Sequence, residues 1–333
     1  MMSTLRGWFL LLLVLCAAFP IMAVETAQDY VKRGEAYING KGSYTKAITA
    51  FTKAIELDPK CVEAYRQRGL VYSLLKKYDQ AVADCTKAIN LAPTAEVYSL
   101  RAYDYREMGK YELAIADYSK ALELEPTNAG SWEARAETYV AMKQYDRAIA
   151  DYGKALELQP GKYFVYLDRG EVYRKLGDFE KALADESTAI GMHPDDQSGY
   201  IERGDTYLIM KQYEQALADY TRAVAINSHS AYVLTRRGAI LGRMHRDEEA
   251  LKDCTAAIKV DSKYSSAYFL RGMSYHRLRK YELAIKDYTQ ALKLNPSYAD
   301  TYRARALAYR ALGKASLADA DLAKAKALEG KAK

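Results

Sequence analysis

Apolar and small residues recur in a fixed pattern from residue 25 to residue 330. When the chain is divided into units of 33 to 35 residues, these side chains fall at unit positions 6, 10 and 13, and again at 22, 23, 26, 29 and 30. Both sets follow the i, i+3, i+4, i+7 spacing that places side chains on one face of an α-helix. A short polar turn, such as the one at 76–79, separates them. Each unit is therefore predicted to be a hairpin of two amphipathic helices.

The units follow one another without a linker. Except for Pro20, every proline stands at the last position of a unit, where it ends one helix and precedes the next. A single helical hairpin leaves apolar faces uncovered, so each unit needs a neighbour on both sides. The pattern predicts an all-α solenoid of nine tandem repeats. The repeat bounds are 25–59, 60–93, 94–126, 127–160, 161–194, 195–228, 229–262, 263–296 and 297–330, followed by a tail at 331–333.

Tyrosine is unusually frequent, with 30 copies in 333 residues. Most of them occupy unit positions 6, 13, 19 and 26, which coincide with the apolar stripes. A ring at such a position is expected to fill the space between helices while its hydroxyl reaches water or a backbone carbonyl. The alternative is a ladder of rings that stacks on sugars. Two repeats are irregular, since Leu234, Leu241 and Asp247 replace rings in one and Glu186 replaces a ring in another.

The repeated motif resembles the tetratricopeptide repeat. It combines an aromatic residue at position 6, Tyr at 13, Ala at 22 and 29, an aromatic residue at 26 and Pro at 34 with a glycine at position 10. That glycine is present as Gly69, Gly170, Gly204, Gly238 and Gly272. The resemblance implies a right-handed superhelix in which the first helix of each pair lines an inner groove. Such a groove usually binds an extended peptide or a helix of a partner.

The chain departs from the commonest form of this family at position 9. That position is Arg in every unit, and position 25 is Asp in all units but the first, which has Ala50. An unpaired guanidinium on a packing face would be costly, so each Arg is expected to bind the Asp of an adjoining helix. The rival interpretation is a basic stripe for anionic ligands. The expected ladder consists of Arg68, Asp84, Arg101, Asp117, Arg135, Asp151, Arg169, Asp185, Arg203, Asp219, Arg237, Asp253, Arg271, Asp287, Arg305 and Asp321.

The face of the first helix opposite the packing stripe is the candidate groove. It is acidic in the middle repeats and basic, with apolar anchors, towards the C-terminus, so it could orient a peptide by charge. An ordinary solvated face is the alternative. The acidic candidates are Glu96, Glu133, Glu137 and Glu171. The remaining candidates are Arg243, Phe269, Met273, His276, Arg277, Arg303 and Arg310. No Asn stands at position 11, so the family's clamp for the C-terminus of cytosolic heat-shock chaperones is not expected.

The first 23 residues have the character of a secretory signal peptide. Arg6 is their only charge, and an uncharged run follows at 7–24. Pro20 breaks the apolar segment, and cleavage is expected after Ala23. An uncleaved membrane anchor is the alternative, because the run just reaches the length that spans a bilayer. Either way the chain is expected to be exported, as a periplasmic or extracellular protein or one anchored in the inner membrane.

Composition and motifs point away from catalysis. Lys and Arg number 49 and Asp and Glu 43, so the net charge of +6 is small and nucleic acid is not an expected partner. The three cysteines after the signal, Cys61, Cys85 and Cys254, cannot pair completely and lack the spacing of a metal site. The histidines show no metal or catalytic spacing either, and no phosphate loop occurs. We expect neither a cofactor nor a bound metal.

These observations predict a non-catalytic scaffold that is exported and binds proteins. It is expected to hold a peptide or partner helix in its concave groove and to serve the assembly of envelope complexes. Two alternatives are a module that binds glycans or cell-wall polymers and a membrane-tethered subunit of a complex.

Overall fold

A computed structural model describes residues 25–40 and 43–330. The proposed signal peptide and the tail at 331–333 lie outside the described residues. The chain forms two compact units, an N-terminal unit that ends at Thr127 and a C-terminal unit that begins at Asn128. Every regular element among the described residues is an α-helix. The predicted all-α class is therefore confirmed.

The N-terminal unit contains three helical hairpins and the C-terminal unit six. Within each unit, the two helices of a hairpin pack together, and the second also packs on the first helix of the next hairpin. The helices of the N-terminal unit are α1 (Ala27–Asn39), α2 (Tyr44–Leu57), α3 (Val62–Leu74), α4 (Tyr78–Leu91), α5 (Ala95–Glu107) and α6 (Tyr111–Leu124). Those of the C-terminal unit are α7 (Ala129–Ala141), α8 (Tyr145–Leu158), α9 (Tyr163–Leu176), α10 (Phe179–Met192), α11 (Gln197–Ile209), α12 (Tyr213–Ile226), α13 (Ala231–Arg243), α14 (Asp247–Val260), α15 (Ser265–Arg277), α16 (Tyr281–Leu294), α17 (Ala299–Ala311) and α18 (Ala315–Glu329).

The turns inside the hairpins share one backbone conformation. In all of them from α3 onward, one residue adopts the left-handed conformation, for example Lys76 at φ 58° and Gly177 at φ 81°. The next backbone N–H then donates to a carbonyl in the last turn of the first helix, as Asp178 N does to Tyr173 O at 2.9 Å. This bond satisfies a carbonyl that the helix end leaves free. The chain thus reverses within a few residues and brings the two apolar stripes face to face.

The repeated tyrosines form much of the packing between helices. At position 26, Tyr118, Tyr152, Tyr220 and Tyr288 are at most 2% exposed. The rings at positions 6, 13 and 19 are buried or half-buried. The exposed tyrosines, Tyr103, Tyr232 and Tyr298, occupy other positions. The rings of the four repeated positions therefore act in packing, which leaves little of them for stacking on sugars.

The structure brings the arginines of position 9 together with the aspartates of position 25. In each of the eight pairs, Nε and Nη2 of the Arg donate to the two carboxylate oxygens of the Asp sixteen residues later, at 2.7 to 2.9 Å. The aspartates are 4% to 7% exposed. Both partners belong to the same hairpin, so each pair joins its two helices. Paired in this way, the guanidinium groups do not form a free basic stripe.

The third nitrogen of the guanidinium, Nη1, links neighbouring hairpins. In several pairs, Nη1 donates to a Thr or Ser hydroxyl of the preceding hairpin, as Arg203 does to Ser187 at 3.0 Å. The hydroxyl stands at unit position 27. Gly153 occupies that position before Arg169, and its missing Cβ would lie 3.9 Å from Nη1 of Arg169. This link is therefore incomplete.

Supplying the missing hydroxyl should stabilise the chain. Replacing Gly153 with Thr adds a hydrogen bond to Arg169 and removes a flexible residue from the interior of α8, and we expect a gain of about 1 kcal/mol. Urea unfolding of the full chain measures it. Gly153→Ala is the matched control, because it supplies the backbone effect alone. If the Thr variant is no more stable than the Ala variant, the hydroxyl link contributes nothing.

Polar side chains replace rings in the irregular repeat at 161–194. Glu186 is fully buried and accepts a hydrogen bond from the Thr206 hydroxyl at 2.6 Å. Arg174 approaches the same carboxylate oxygen at 3.5 Å and pairs with Glu202 at 2.7 Å. Burial still raises the pKa of Glu186 to about 7. This network of charged and polar side chains occupies the space that a ring fills in other repeats, and its members are hydrogen-bonded or ion-paired with one another.

Asp104 on α5 is a buried carboxyl without such a network. It is 0% exposed, and neither of its carboxylate oxygens has a hydrogen-bond partner of good geometry among the described residues. Burial raises its pKa to about 7, and the nearby Ser73 hydroxyl opposes this shift only in part. In the other repeats this position is apolar five times, as in Val71 and Ile240, and a Thr or Ser three times. Asp104 is therefore the only ionisable side chain at this position of the repeat.

Candidate functional site

The first helices α13 and α15, with the N-terminal end of α17, form a cleft in the C-terminal unit. Its volume is about 690 Å³, within the range of pockets that bind ligands. We call it the C-terminal cleft. Its walls include Tyr232, Arg236, Arg243, Phe269, Met273 and Arg277.

The cleft contains part of the groove that the sequence predicts. Of the seven candidates towards the C-terminus, Arg243, Phe269, Met273 and Arg277 line it. The other three, His276, Arg303 and Arg310, are not among its lining side chains. Sequence reasoning missed Tyr232 and Arg236, which lie on α13 beside the predicted positions.

Phe269 and Met273 form the apolar wall on α15. Both are half-buried and stand four residues apart, so they lie on one face of the helix. The Phe269 ring contacts Tyr298 edge to face, with 5.4 Å between ring centroids, and Tyr288 at 6.0 Å. These contacts hold the ring in place. The wall can accept an apolar side chain without first ordering its own groups.

The irregular residue Asp247 fixes the position of Arg277. Asp247 stands where other repeats have a ring, is 8% exposed, and accepts a hydrogen bond from Nε of Arg277 at 2.7 Å. Gly242 makes room for this arrangement, since a Cβ there would lie 2.5 Å from Nη2 of Arg277. The guanidinium of Arg277 thus reaches the cleft with its charge already balanced. Sequence reasoning placed Arg277 in the groove but assigned it no partner.

Arg236 is held in a similar way. Its Nη2 pairs with Asp205, and its Nε donates to the Tyr220 hydroxyl at 3.2 Å. The Tyr220 hydroxyl in turn donates to Asp205 at 2.7 Å. This closed set of contacts fixes the Arg236 side chain on the cleft wall.

Sequence models of the tetratricopeptide repeat match most of the described chain. They match residues 62–94, 95–128, 118–150 and 265–298, and further models of the same repeat match 34–76 and 167–231. The chain is built from tetratricopeptide repeats. No curated protein sequence gives a significant match.

Solved structures of similar fold are tetratricopeptide repeat proteins or complexes that contain them. A tetratricopeptide repeat protein from Parabacteroides merdae is 20% identical, with 74% of this chain and 98% of that chain covered and a TM-score of 0.56. Yeast Tom70 is 18% identical, with 90% and 66% covered and a TM-score of 0.54. The Cut9-Hcn1 complex of APC/C is 17% identical, with 91% and 73% covered and a TM-score of 0.53. At these identities the likeness concerns the fold alone.

The remaining basic candidates of this tetratricopeptide repeat chain are occupied or neutral. Arg303 pairs with Glu329 and with Asp300, and Arg310 lies 3.4 Å from Asp319. Burial lowers the pKa of His276, and the adjacent Arg277 lowers it further. His276 is therefore neutral at pH 7 and adds no positive charge to the groove.

The predicted acidic candidates are also paired. Glu133 accepts from Lys162 at 2.6 Å, Glu171 pairs with Lys175 at 2.9 Å, and Glu96 pairs with Arg66. Glu137 also takes part in an interaction. The acidic face of these repeats is thus partly neutralised by its own lysines and arginines.

Asp168 is an acidic residue that sequence reasoning did not select. Burial, together with the surrounding Glu137, Glu133, Glu171 and Glu202, raises its pKa to about 7. The only signal in the sequence was an Asp at a position where the other repeats vary. The four glutamates belong to three different repeats, so spacing alone could not reveal this shift.

Chemical groups for catalysis or metal binding do not converge in the described part of the chain. As for metal ligands, no cluster of three or more His, Cys, Asp or Glu side chains in the described part of the chain could hold a metal ion. Cys61, Cys85 and Cys254 are free thiols, and burial raises the pKa of Cys85 and Cys254 to about 12. In the same residues, no helix is both long enough and apolar enough to cross a bilayer.

Proposed function

We propose that this chain is an exported protein-interaction scaffold that binds a peptide or partner helix and has no catalytic activity of its own. It acts in the assembly of envelope complexes. The observation that carries the proposal is the C-terminal cleft, in which the rigid Phe269 ring and Met273 stand beside three arginines on the first helices of the repeats. Apolar anchors with a polar surround are typical of protein-binding surfaces.

The alternative ligand is a glycan or cell-wall polymer. The exposed Tyr232 and Tyr298 rings at the cleft favour it, since sugars stack on such rings. Most other tyrosines of the chain are engaged in packing. We therefore propose a peptide, and not a glycan, as the ligand of the cleft.

Cross-linking in the native cell envelope tests the function. We expect the wild-type chain to cross-link to a defined protein partner and Phe269→Ala to lose at least about 90% of that product, since truncating a central ring costs 2 kcal/mol or more. Leu283→Ala is the matched control, because Leu283 is an exposed apolar residue on α16 of the same hairpin. Equal loss in both variants, or retention in both, would contradict binding in the cleft.

Export is tested on the same material. N-terminal sequencing of the mature protein should begin at Val24, which corresponds to cleavage after Ala23. An intact N-terminus in the membrane fraction would favour the tethered subunit. A full-length chain in the cytosol would refute export.

A further inference from the structure

The arginines that line the C-terminal cleft differ in one respect, which is whether their charge is balanced. Arg277 is paired with Asp247, and Arg236 is paired with Asp205. Each of these arginines therefore shares its charge with a carboxylate of the chain. Neither requires a charged ligand.

Asp300 is the acidic side chain of the cleft wall, and it is balanced as well. It pairs with Arg303 on the same helix. Arg243 is different, because it is exposed and its guanidinium has no ion-pair or hydrogen-bond partner among the described residues. The cleft therefore has one unbalanced positive charge, at the C-terminal end of α13.

A buried hydroxyl on the same helix also lacks a partner. Thr235 lines the cleft, is 3% exposed, and its Oγ1 makes no hydrogen bond among the described residues. Buried polar atoms of folded proteins nearly always have a partner. The helix α13 thus contributes to the cleft lining an exposed guanidinium and a buried hydroxyl, neither of which has a partner among the described residues.

We propose that the C-terminal cleft binds a peptide segment in which a carboxylate side chain stands next to a large apolar one. This inference rests on the proposed function and specifies its ligand. The apolar side chain packs against Phe269 and Met273, and the carboxylate binds the guanidinium of Arg243. Charge-assisted hydrogen bonds between Arg and carboxylate are stronger than neutral ones.

The charge balance favours a single carboxylate over other anions. One carboxylate neutralises the one free charge, whereas a phosphate carries up to two charges and would leave an excess. A nucleic acid backbone requires several free cations, and the other arginines of the cleft are already paired. The ligand class that matches the cleft is therefore an acidic and apolar peptide.

Binding of synthetic peptides to the mature chain, measured by fluorescence anisotropy, tests this inference. The probes are labelled nine-residue peptides, blocked at both ends, with a central Leu-Glu, Leu-Gln, Leu-Lys or Leu-phosphoserine pair between flanks of Ala, Ser and Gly. We expect the Leu-Glu peptides to bind about tenfold more tightly than the Leu-Gln peptides, as befits one charge-assisted contact. Arg243→Gln should abolish this difference. Arg310→Gln, an exposed arginine outside the cleft lining, should retain it.

The outcomes separate the two proposals. Equal binding of the Glu and Gln peptides, an Arg243→Gln variant that behaves as wild type, or a preference for Lys overturns the carboxylate inference while leaving the scaffold function intact. Arg243-dependent preference for phosphoserine over Glu overturns it in favour of a phosphopeptide. Failure of every peptide to bind, together with retention of the native cross-link in Phe269→Ala, removes the cleft from both proposals.

Discussion

Replacing Asp219 with Ala should destabilise the chain by roughly 3 kcal/mol, because it leaves the guanidinium of Arg203 in a packed interface without its counter-charge. Asp219 is 6% exposed, and the bonds that it accepts from Arg203 are 2.8 and 2.9 Å long. The double variant Arg203→Met with Asp219→Leu should be much less costly, since two apolar groups then fill the space of a buried ion pair. Urea unfolding of the full chain measures both.

A surface pair of similar chemistry provides the control. Arg246 and Glu249 bind each other at 2.7 Å but are 43% and 49% exposed. Glu249→Ala should change the stability much less than Asp219→Ala does, because solvent screens such a pair. If Asp219→Ala and the double variant prove equally unstable, the pairing is not the source of the effect and each side chain contributes separately.

Replacing Asp104 with Val should stabilise the chain, and the gain should grow with pH. Below about pH 4 the carboxyl is protonated in the folded and the unfolded state alike, so its ionisation costs nothing. As the pH rises from about 4 to 7, the unfolded chain ionises freely while the folded chain holds the proton, because burial raises the folded pKa to about 7. Stability of the wild type therefore falls across this window. Above it, the penalty amounts to about 4 kcal/mol, which Val removes.

The difference between variant and wild type isolates Asp104. Glu186 also has a pKa of about 7 through burial and lowers stability in the same direction, but it is present in both proteins. Unfolding at about pH 4.5 and pH 8 measures the difference. Asp79→Val is the control, since Asp79 is an exposed residue at the start of α4 and its loss should cost about 1 kcal/mol or less. A gain for Asp104→Val that is the same at both pH values would show that ionisation of Asp104 plays no part.

The Asp219 and Asp104 variants both concern the dependence of each repeat on the packing of its neighbours. Each hairpin depends on its neighbours, so a defect at one interface weakens the repeats on both sides. The ladder of Arg and Asp joins the two helices in every hairpin after the first, and hydroxyl groups at position 27 extend it to a neighbouring hairpin. Asp104 is the opposite case, a single ionisable side chain at a position where the other repeats have an apolar residue, Thr or Ser.

The site was predictable in part. Arg243, Phe269 and Met273 were identified from their place on the exposed face of a first helix, which follows from helical spacing. The ion pair of Arg277 could not be predicted in this way, because its partner Asp247 is thirty residues earlier in the chain and belongs to another hairpin. Arg303 and His276 were assigned positive charge in the groove, whereas Glu329 neutralises the first and burial keeps the second neutral.

The sequence by itself determined the all-α class, the hairpin as the building unit and the pairing of Arg with an Asp of an adjoining helix, because each of these depends on spacing along one or two helices. Only the tertiary structure decided which Asp each Arg binds, which charges are balanced, that Asp104 is buried, and that one cleft has a free guanidinium beside an apolar wall. Burial and charge balance depend on side chains that distant helices bring together, and the local spacing of residues in the sequence does not show which of these side chains meet.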